Sequence, residues 1–308
     1  EQVQRLPAPE SDPERLPLEQ LVRALENPAR HYAQQRLGLY LEESELPELE
    51  DVEPFAANHL SRYLIQEALI HCELEGADDT PVLERARLSG ELPEHAPMTS
   101  ELEQWREQAG GFARALVDSG AAGVQTSPVE HSIEGLTLTA DLTLAEDGRM
   151  VLWRMANPKG KDLLRLWCHH LIANLERERS SVSIHRGRGG ALRVMQLQPM
   201  GQGEAESQLR ALVAAWRESL CEPSRLHGDL LRDLAAMDAE AEPPKRLRTL
   251  RNAWLGDSFN GFPGVKDDAY IGWFFEEDTD TDALLAAIDS RYSDLLAALT
   301  ITDTTEAV

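Results

Sequence analysis

The stretch from Thr139 to Asn157 carries the clearest chemical pattern in the chain. It reads as two strands joined by a tight turn at Glu146-Asp147-Gly148, because Asp-Gly between β-prone runs is a strong hairpin signal. A metal-dependent nuclease site on such a hairpin takes one carboxylate from the first strand, and an acid and a lysine two residues apart from the second. The carboxylates hold Mg²⁺, and the lysine stabilises developing negative charge. Here the first strand offers Asp141, but Arg154 and Ala156 stand where the acid and the lysine belong. The pattern therefore indicates a nuclease scaffold with vestigial chemistry.

Two other interpretations of these residues stay open. In one, Asp141 keeps a residual Mg²⁺-dependent nuclease activity, with Glu134 or Asp162 as a migrated second carboxylate. In the other, the chain is a pure protein-interaction module with no role on DNA. The sequence has no phosphate-loop lysine motif. The adjacent His169 and His170 would point about 100° apart on a helix, which is unsuitable for one shared ion. We therefore expect neither a metal nor a cofactor in this chain.

The charge balance limits how the chain can contact nucleic acid. It has 30 Lys and Arg against 54 Asp and Glu, a formal net charge of −24, whereas phosphate binding needs clustered Lys and Arg. The region from Lys159 to Arg193 is an exception, with eight Lys and Arg against three Asp and Glu, a net of +5. Arginines of this region either contact DNA phosphate, pair with acidic loops of the chain or face solvent. The candidates for DNA contact are Arg177, Arg179, Arg186, Arg188 and Arg193.

The elements that position Asp141 and Arg154 follow from the periodicity of the middle third. Apolar and polar residues alternate between Leu136 and Leu144, which predicts a half-buried strand with Asp141 on its polar face. Ser100 is suited to cap the helix before it. The predicted elements are a helix at 101–117, strands at 122–126, 133–144 and 149–155, a helix at 162–178, and strands at 182–185 and 192–197.

Helices are predicted at both ends of the chain. The N-terminal helices span 18–26, 29–37, 55–74 and 82–88, and the third has Leu60, Leu64, Ala68 and Leu69 on one apolar face. Five more are predicted at 204–220, 228–236, 244–255, 267–275 and 281–299. The fold class is therefore α/β (α+β), in a single domain of three parts. These are a helical part at 1–98, an α/β core at 99–200 and a helical part at 201–308.

The spacing of the cysteines and the hydropathy of the chain indicate where in the cell it is expected. Cys72, Cys168 and Cys221 lie far apart without metal-ligand spacing, which is typical of reduced thiols in a cytoplasmic protein. No segment approaches the roughly 18 to 20 consecutive apolar residues of a membrane span. The chain begins at Glu1 rather than Met, so we expect a fragment of a longer polypeptide or a processed form. We expect it in the cytoplasm, with no membrane partner.

Several short patches follow one another in a fixed order along nearly the whole chain. They are Asn27-Pro-Ala-Arg-His-Tyr-Ala-Gln-Gln-Arg-Leu37, Glu53-Pro-Phe, Leu60-Ser-Arg-Tyr63, Gly90-Glu-Leu-Pro93, Gly148-Arg-Met-Val-Leu-Trp-Arg154, Leu166-Trp167, His170-Leu171, Ala215-Trp-Arg-Glu218 and Asp267-Asp268. Together these patches resemble the C-terminal region of the RecC family, the gamma subunit of exodeoxyribonuclease V. A single patch would be a weak signal, and it is their order that makes the resemblance specific.

The resemblance implies a restriction-endonuclease-like core (helix, three strands, helix, strand) with added N- and C-terminal helices and a degenerate catalytic motif. It implies a noncatalytic subunit domain of a RecBCD-type helicase–nuclease that acts on double-stranded DNA ends and forks. The implied processes are recombinational repair and degradation of linear DNA. The implied partners are RecB-like and RecD-like subunits, and ATP and Mg²⁺ are expected only in those partners.

The family's C-terminal domain also carries a pin that helps to split the incoming duplex. Such a pin must be a stiff projection, and a β-hairpin suits this role. The candidate is the hairpin around Val129–Leu136, with His131, Ile133 and the turn Glu134-Gly135 at its tip. An ordinary sheet hairpin is the alternative.

Overall fold

A computed structural model of the chain describes residues 5–41, 59–89, 96–187, 191–237, 242–257, 261–275 and 279–304. Its centre is a mixed seven-stranded sheet with helices against both faces, which confirms the α+β class. The strands of this sheet are Arg15–Pro17 (β1), Gln125–Ile133 (β2), Leu136–Leu144 (β3), Met150–Arg154 (β4), Ser181–Arg186 (β5), Leu192–Leu197 (β6) and Thr300–Thr304 (β9). A separate two-stranded sheet consists of Gly256–Asp257 (β7) and Phe262–Pro263 (β8).

Strand β3 organises the sheet. One side of it pairs antiparallel with β2 along the whole length, from Ile133 opposite Leu136 to Gln125 opposite Leu144. Its other side pairs in parallel with β1 and then, at Leu144 opposite Met150, with β4. Strand β5 runs parallel to β4, and β6 and β9 follow as antiparallel neighbours. Within the described residues, β1, β2 and β9 each pair with one strand only.

The helices form a layer on each face of the sheet. They are Leu18–Glu26 (α1), Pro28–Arg36 (α2), His59–Glu75 (α3), Thr80–Leu88 (α4), Ala96–Asp118 (α5), Gly160–Glu176 (α6), Gln202–Ser219 (α7), Gly228–Ala235 (α8), Pro243–Leu255 (α9), Ala269–Phe274 (α10) and Thr281–Ala298 (α11), with a short 3-10 helix at Val265–Asp267. Helices α3, α4 and α5 cover β4 and β5 on one face. The remaining helices lie on the other face around α6, whose Leu163, Leu166 and Trp167 are fully buried.

Tertiary pairing makes strands at both ends of the chain where the sequence predicted none. Strand β1 pairs with residues 137–139, and β9 pairs with β6. The part at 201–308 is therefore not helical alone, because it supplies an edge strand. The strand predicted at 122–126 is also longer and lies further along the chain. Strand β2 runs from Gln125 to Ile133 and pairs with β3 along its whole length.

Two predictions about helices were wrong. Helix α5 begins at Ala96, so Ser100 lies inside it and does not cap it. On α3, Leu60 and Leu64 are 68% and 50% exposed, although they were expected on the buried face. Leu69 is buried as expected, but Ile65 and Ile70 accompany it in the core, because contact with α5 selects an overlapping apolar stripe.

Within the described residues, no helix has both the length and the apolar character that crossing a membrane requires. Cys72, Cys168 and Cys221 are free thiols.

Candidate functional site

The hairpin that carries Asp141 and Arg154 opens immediately after its turn. Strands β3 and β4 pair at Leu144 and Met150, and directly opposed residues of an antiparallel pair point to the same face. Leu144 and Met150 both pack in the core around α6. Because side chains alternate along a strand, Arg154 points to that same face and Asp141 to the opposite one. The two residues therefore do not share a site, which corrects their assignment to one vestigial centre.

Asp141 is exposed on the polar face of β3, as the alternation predicted. Its cross-strand neighbour on β2 is Pro128, and the burial pattern of the strand leaves Asp141 as its most exposed position. Within the described ranges, no group of three or more His, Cys, Asp or Glu side chains is arranged to hold a metal ion.

Arg154 faces α6 and forms a two-point ion pair with Asp162. Its Nη2 lies 2.5 Å from Asp162 Oδ2 and its Nε lies 3.1 Å from Oδ1. The same Nη2 also donates to the Asn157 carbonyl oxygen at 2.9 Å. The side chains are only 17% and 3% exposed. Both oxygens of the Asp162 carboxylate are thus engaged by a guanidinium, which leaves them unsuited to a divalent cation.

The start of α6 fixes the Asp162 carboxylate. Asp162 is the third residue of the helix, and its Oδ2 accepts a hydrogen bond from the Lys159 backbone N–H at 2.7 Å, as in a capping box. The start of α6 can lie against α8 because residue 160 is glycine. A Cβ at that position would be 1.8 Å from the Gly228 carbonyl oxygen. The Gly160 N–H donates to Asp229 Oδ1 at 3.0 Å. Two helices therefore hold the acid against Arg154.

Buried polar side chains of β5 continue this region beneath α6. His185 lies opposite Arg154 in the parallel register, and its Nε2 is 2.7 Å from Ser183 Oγ. Burial lowers the pKa of His185 to about 4, with the Asp162 charge opposing the shift and Arg154 adding to it. His185 is thus neutral at pH 7, and the charged groups that act on it, Asp162, Arg154 and Arg165, all belong to ion pairs.

A second buried polar cluster joins α6 to the chain that follows it. His170 Nδ1 is 2.8 Å from Ser181 Oγ, and burial lowers the pKa of His170 to about 4. Asn174 Oδ1 accepts from the backbone N–H groups of Arg179 and Met200, and its Nδ2 donates to the His170 carbonyl oxygen. These bonds satisfy buried backbone groups. His169 is held separately, with Nδ1 2.9 Å from the Arg165 carbonyl oxygen, so the two histidines are structural.

The four described arginines proposed for DNA contact, Arg177, Arg179, Arg186 and Arg193, differ in exposure and in their partners. Arg193 makes a bidentate pair with Asp303 of β9, with both distances 2.7 Å. The Arg179 Nε donates to the Arg177 carbonyl oxygen at 3.4 Å. Arg177 is exposed and Arg186 half-buried, while Arg188 lies outside the described residues. The role of the group in DNA contact stays a prediction.

The Glu134-Gly135 turn is the tip of the β2–β3 hairpin, as predicted. Its φ values of 50° and 83° are those of a two-residue turn with both central residues in the left-handed region. Helix α7 anchors the tip through Arg217. The Arg217 guanidinium donates to Glu134 Oε2 at 2.9 Å and to the Glu134 carbonyl oxygen at 3.2 Å. Ile133 is buried and His131 half-buried. The role of this hairpin as a pin stays a prediction.

Sequence reasoning missed the partner of Arg154. It treated Asp162 as a migrated metal ligand, whereas the structure makes it the counter-ion of the substituted arginine. One signal was present, since Asp162 stands eight residues after Arg154 in the first turn of a predicted helix, where a carboxylate is favourable. An acidic residue also caps α11, where Asp280 Oδ1 accepts from the backbone N–H groups of Asp282 and Ala283.

The comparisons with known proteins agree with one another. The chain is 26% identical over 219 residues to a protein of Escherichia coli K12 named RecBCD enzyme subunit RecC. The aligned region covers 70% of this chain and 19% of that protein. It is 23% identical over 217 residues to the Haemophilus influenzae protein of the same name, with 68% and 19% covered. The chain thus spans about a fifth of the length of these relatives. The model of the RecC C-terminal domain matches residues 13–235, and the chain therefore belongs to the RecC C-terminal domain family.

Proposed function

We propose that this chain is a noncatalytic subunit domain of a RecBCD-type helicase–nuclease that acts on double-stranded DNA ends. In this role it docks against RecB-like and RecD-like subunits and helps to guide or separate the DNA strands. The Arg154–Asp162 ion pair is the observation that carries the noncatalytic part. A guanidinium stands at the strand position where a nuclease of this layout has its second metal-binding acid, and it engages both oxygens of the nearest buried carboxylate.

We further propose that α5, β2, β3, β4, α6 and β5 are a restriction-endonuclease-like core. Their order of helix, three strands, helix and strand supports this assignment, as does the parallel pairing of β4 with β5 around α6. In such a core the polar residues between β4 and α6 would be the descendants of a metal site. Arg154, Asp162 and His185 now hold that place together as a buried, structural set.

The alternative of a residual nuclease receives no support from its suggested second acids. Glu134 is paired with Arg217 at the hairpin tip, and Asp162 is paired with Arg154. Moreover, Asp141 lies on the sheet face opposite to Asp162. A catalytic pair would need one of these carboxylates to leave its arginine and to cross the sheet.

Co-purification tests the assembly claim. The chain, tagged and co-expressed with the RecB-like and RecD-like subunits of its own organism, is expected to retain at least one of them through a salt wash. Failure to retain either subunit would contradict the proposal. Arg154→Lys is a useful second sample, because it keeps one charge against Asp162 and should retain the partners as well as the parent chain does.

A further inference from the structure

Helix α9 (Pro243–Leu255) carries a basic surface outside the region that the family model matches, which ends at residue 235. Its sequence has four cations, at Lys245, Arg246, Arg248 and Arg251, and no Asp or Glu. This contrasts with a chain whose net charge is −24.

Packing of α9 separates its cations into two sets. Leu250 and Trp254 are buried in the main core, and Arg246, on the same side, donates through Nη1 to Asp289 Oδ2 of α11 at 3.1 Å. Lys245, Arg248 and Arg251 are exposed. With 3.6 residues per turn, these three side chains occupy an arc of about 120° opposite the core, over a rise of about 9 Å.

No ion pair or hydrogen bond within the described residues engages the side chain of Lys245, Arg248 or Arg251. The acidic residues nearest in the described sequence stand beyond the helix ends, at Glu242 and Asp257. The stripe of Lys245, Arg248 and Arg251 therefore presents to solvent positive charge that pairs with no described acid. Clustered cations on one helix face attract a polyanion by releasing its condensed counterions.

An exposed aromatic residue lies next to the C-terminal end of α9. Helix α9 ends at Gly256, whose φ of 70° favours glycine, and the chain turns back so that Phe262 pairs with Asp257. The return is tight, since a Cβ on Gly264 would lie 2.2 Å from the Trp254 carbonyl oxygen. Phe262 is nevertheless 68% exposed. An exposed ring at the end of a helix that carries cations suits a base that stacks while its backbone follows the cations.

We propose that α9 binds single-stranded DNA, with phosphates on Lys245, Arg248 and Arg251 and a base stacked on Phe262. This rests on the proposed function, which supplies separated strands near this domain. The favoured ligand is a single strand rather than a duplex or an anionic membrane, because only an unstacked base offers a face to Phe262. Three neutralised phosphates predict that affinity falls about 20-fold between 50 and 200 mM salt, from a slope of about −0.7 per phosphate.

The test uses the full 308-residue chain and fluorescence anisotropy of labelled oligo(dT) at 50 mM salt. Replacing both Arg248 and Arg251 with Gln is expected to weaken binding at least about tenfold and to flatten the salt dependence. Phe262→Ala is expected to weaken binding at least about fivefold. Arg210→Gln is the matched control, because it removes an exposed arginine of α7 that pairs with Glu206, and it should bind as the parent chain does.

Three outcomes would overturn the inference: absence of oligo(dT) binding by the parent chain, equal loss in the Arg210→Gln control, and tighter binding to duplex or to phosphatidylserine vesicles than to oligo(dT). Co-purification of the Arg248→Gln, Arg251→Gln double variant with the RecB-like and RecD-like subunits is measured in parallel. Retained partners with lost DNA binding would support the α9 site. Lost partners in the parent chain would instead contradict the proposed function, so the two failures are distinguishable.

Discussion

Arg154 on β4 and Asp162 on α6 form a two-point ion pair whose carboxylate is 3% exposed. The pair joins the strand that would bear a nuclease acid to the helix that follows it. Removing one partner of a buried pair leaves an uncompensated charge, and this costs more than the pair itself contributes. The pair therefore now serves the fold, and its disruption should appear first as lost stability.

Arg154→Leu is expected to lower the free energy of unfolding by about 3 to 5 kcal/mol, because the Asp162 carboxylate stays buried without its counter-ion. Urea unfolding followed by circular dichroism measures this. Arg210→Leu, which breaks a pair that is 54% and 40% exposed, should cost less than about 1 kcal/mol. Adding Asp162→Leu to Arg154→Leu should recover part of the loss. Equal costs for the buried and the exposed arginine would contradict this account.

Gly160→Ala is expected to cost about 3 kcal/mol or more, because its Cβ would lie 1.8 Å from the Gly228 carbonyl oxygen and push α6 from α8. Gly203→Ala is the control. It lies in α7 with nothing within 4 Å of its added Cβ, so alanine should be neutral or stabilise by up to about 1 kcal/mol. Thermal unfolding of both variants measures the difference. A Gly160→Ala protein that unfolds at the same temperature as the parent chain would show that α6 and α8 do not make this close contact.

The stability of the chain should fall as the pH drops from about 6.5 towards 4. Burial lowers the pKa of His31, His170 and His185 to about 4 in the folded state, against about 6.5 when unfolded. Between these values the unfolded state binds more protons. Each histidine therefore lowers the free energy of unfolding by about 2 kcal/mol at pH 5 relative to pH 7. Their contribution is fully present above pH 6.5.

The matched measurement is the urea midpoint of His170→Gln at pH 7 and pH 5. This variant removes one titrating group while it keeps a polar side chain near Ser181, so its loss between the two pH values should be smaller than that of the parent chain. An unchanged difference would mean that His170 is not held neutral in the folded protein.

Arg217→Ala should loosen the hairpin tip without unfolding the chain. The side chain is 31% exposed and bridges Glu134 and Asp12, so the cost in stability should stay below about 1 kcal/mol. Hydrogen exchange of the Gly135 and Leu136 amides is expected to speed up, because the tip loses its anchor to α7. Arg232→Ala, which breaks an exposed pair with Asp233, should leave these amides unchanged. Equal exchange in both variants would show that Arg217 does not hold the tip.

Local patterns predicted the elements that depend on near neighbours in sequence. The hairpin turns at Glu134-Gly135 and at Asp147-Gly148, the strand alternation that exposes Asp141 and the long helix α6 follow from turn chemistry and periodicity. Strands β1 and β9 did not, because Arg15–Pro17 and Thr300–Thr304 become strands only by pairing with distant residues. Their own sequences are too short to carry a period.

The candidate site was predicted in part. The loss of acid and lysine at Arg154 and Ala156 is visible in the sequence, but the face on which each side chain lies depends on the register of β3 with β4. The turn between these strands fixes a single pair, at Leu144 and Met150, and that pair sets the register. The pairing of Arg193 with Asp303 joins residues 110 positions apart, so a count of basic residues could not reveal it.

If this domain contributes no catalytic group, degradation of linear DNA by the reconstituted complex should not depend on the carboxylates of the domain. The complex is assembled from a RecC-type subunit that carries this domain and from the RecB-like and RecD-like subunits, with ATP and Mg²⁺. Complexes that carry Asp141→Ala or Glu134→Gln are expected to degrade linear duplex DNA at the rate of the parent complex. Loss of degradation in a fully assembled Asp141→Ala complex would contradict the account, because it would place a working nuclease carboxylate on this chain.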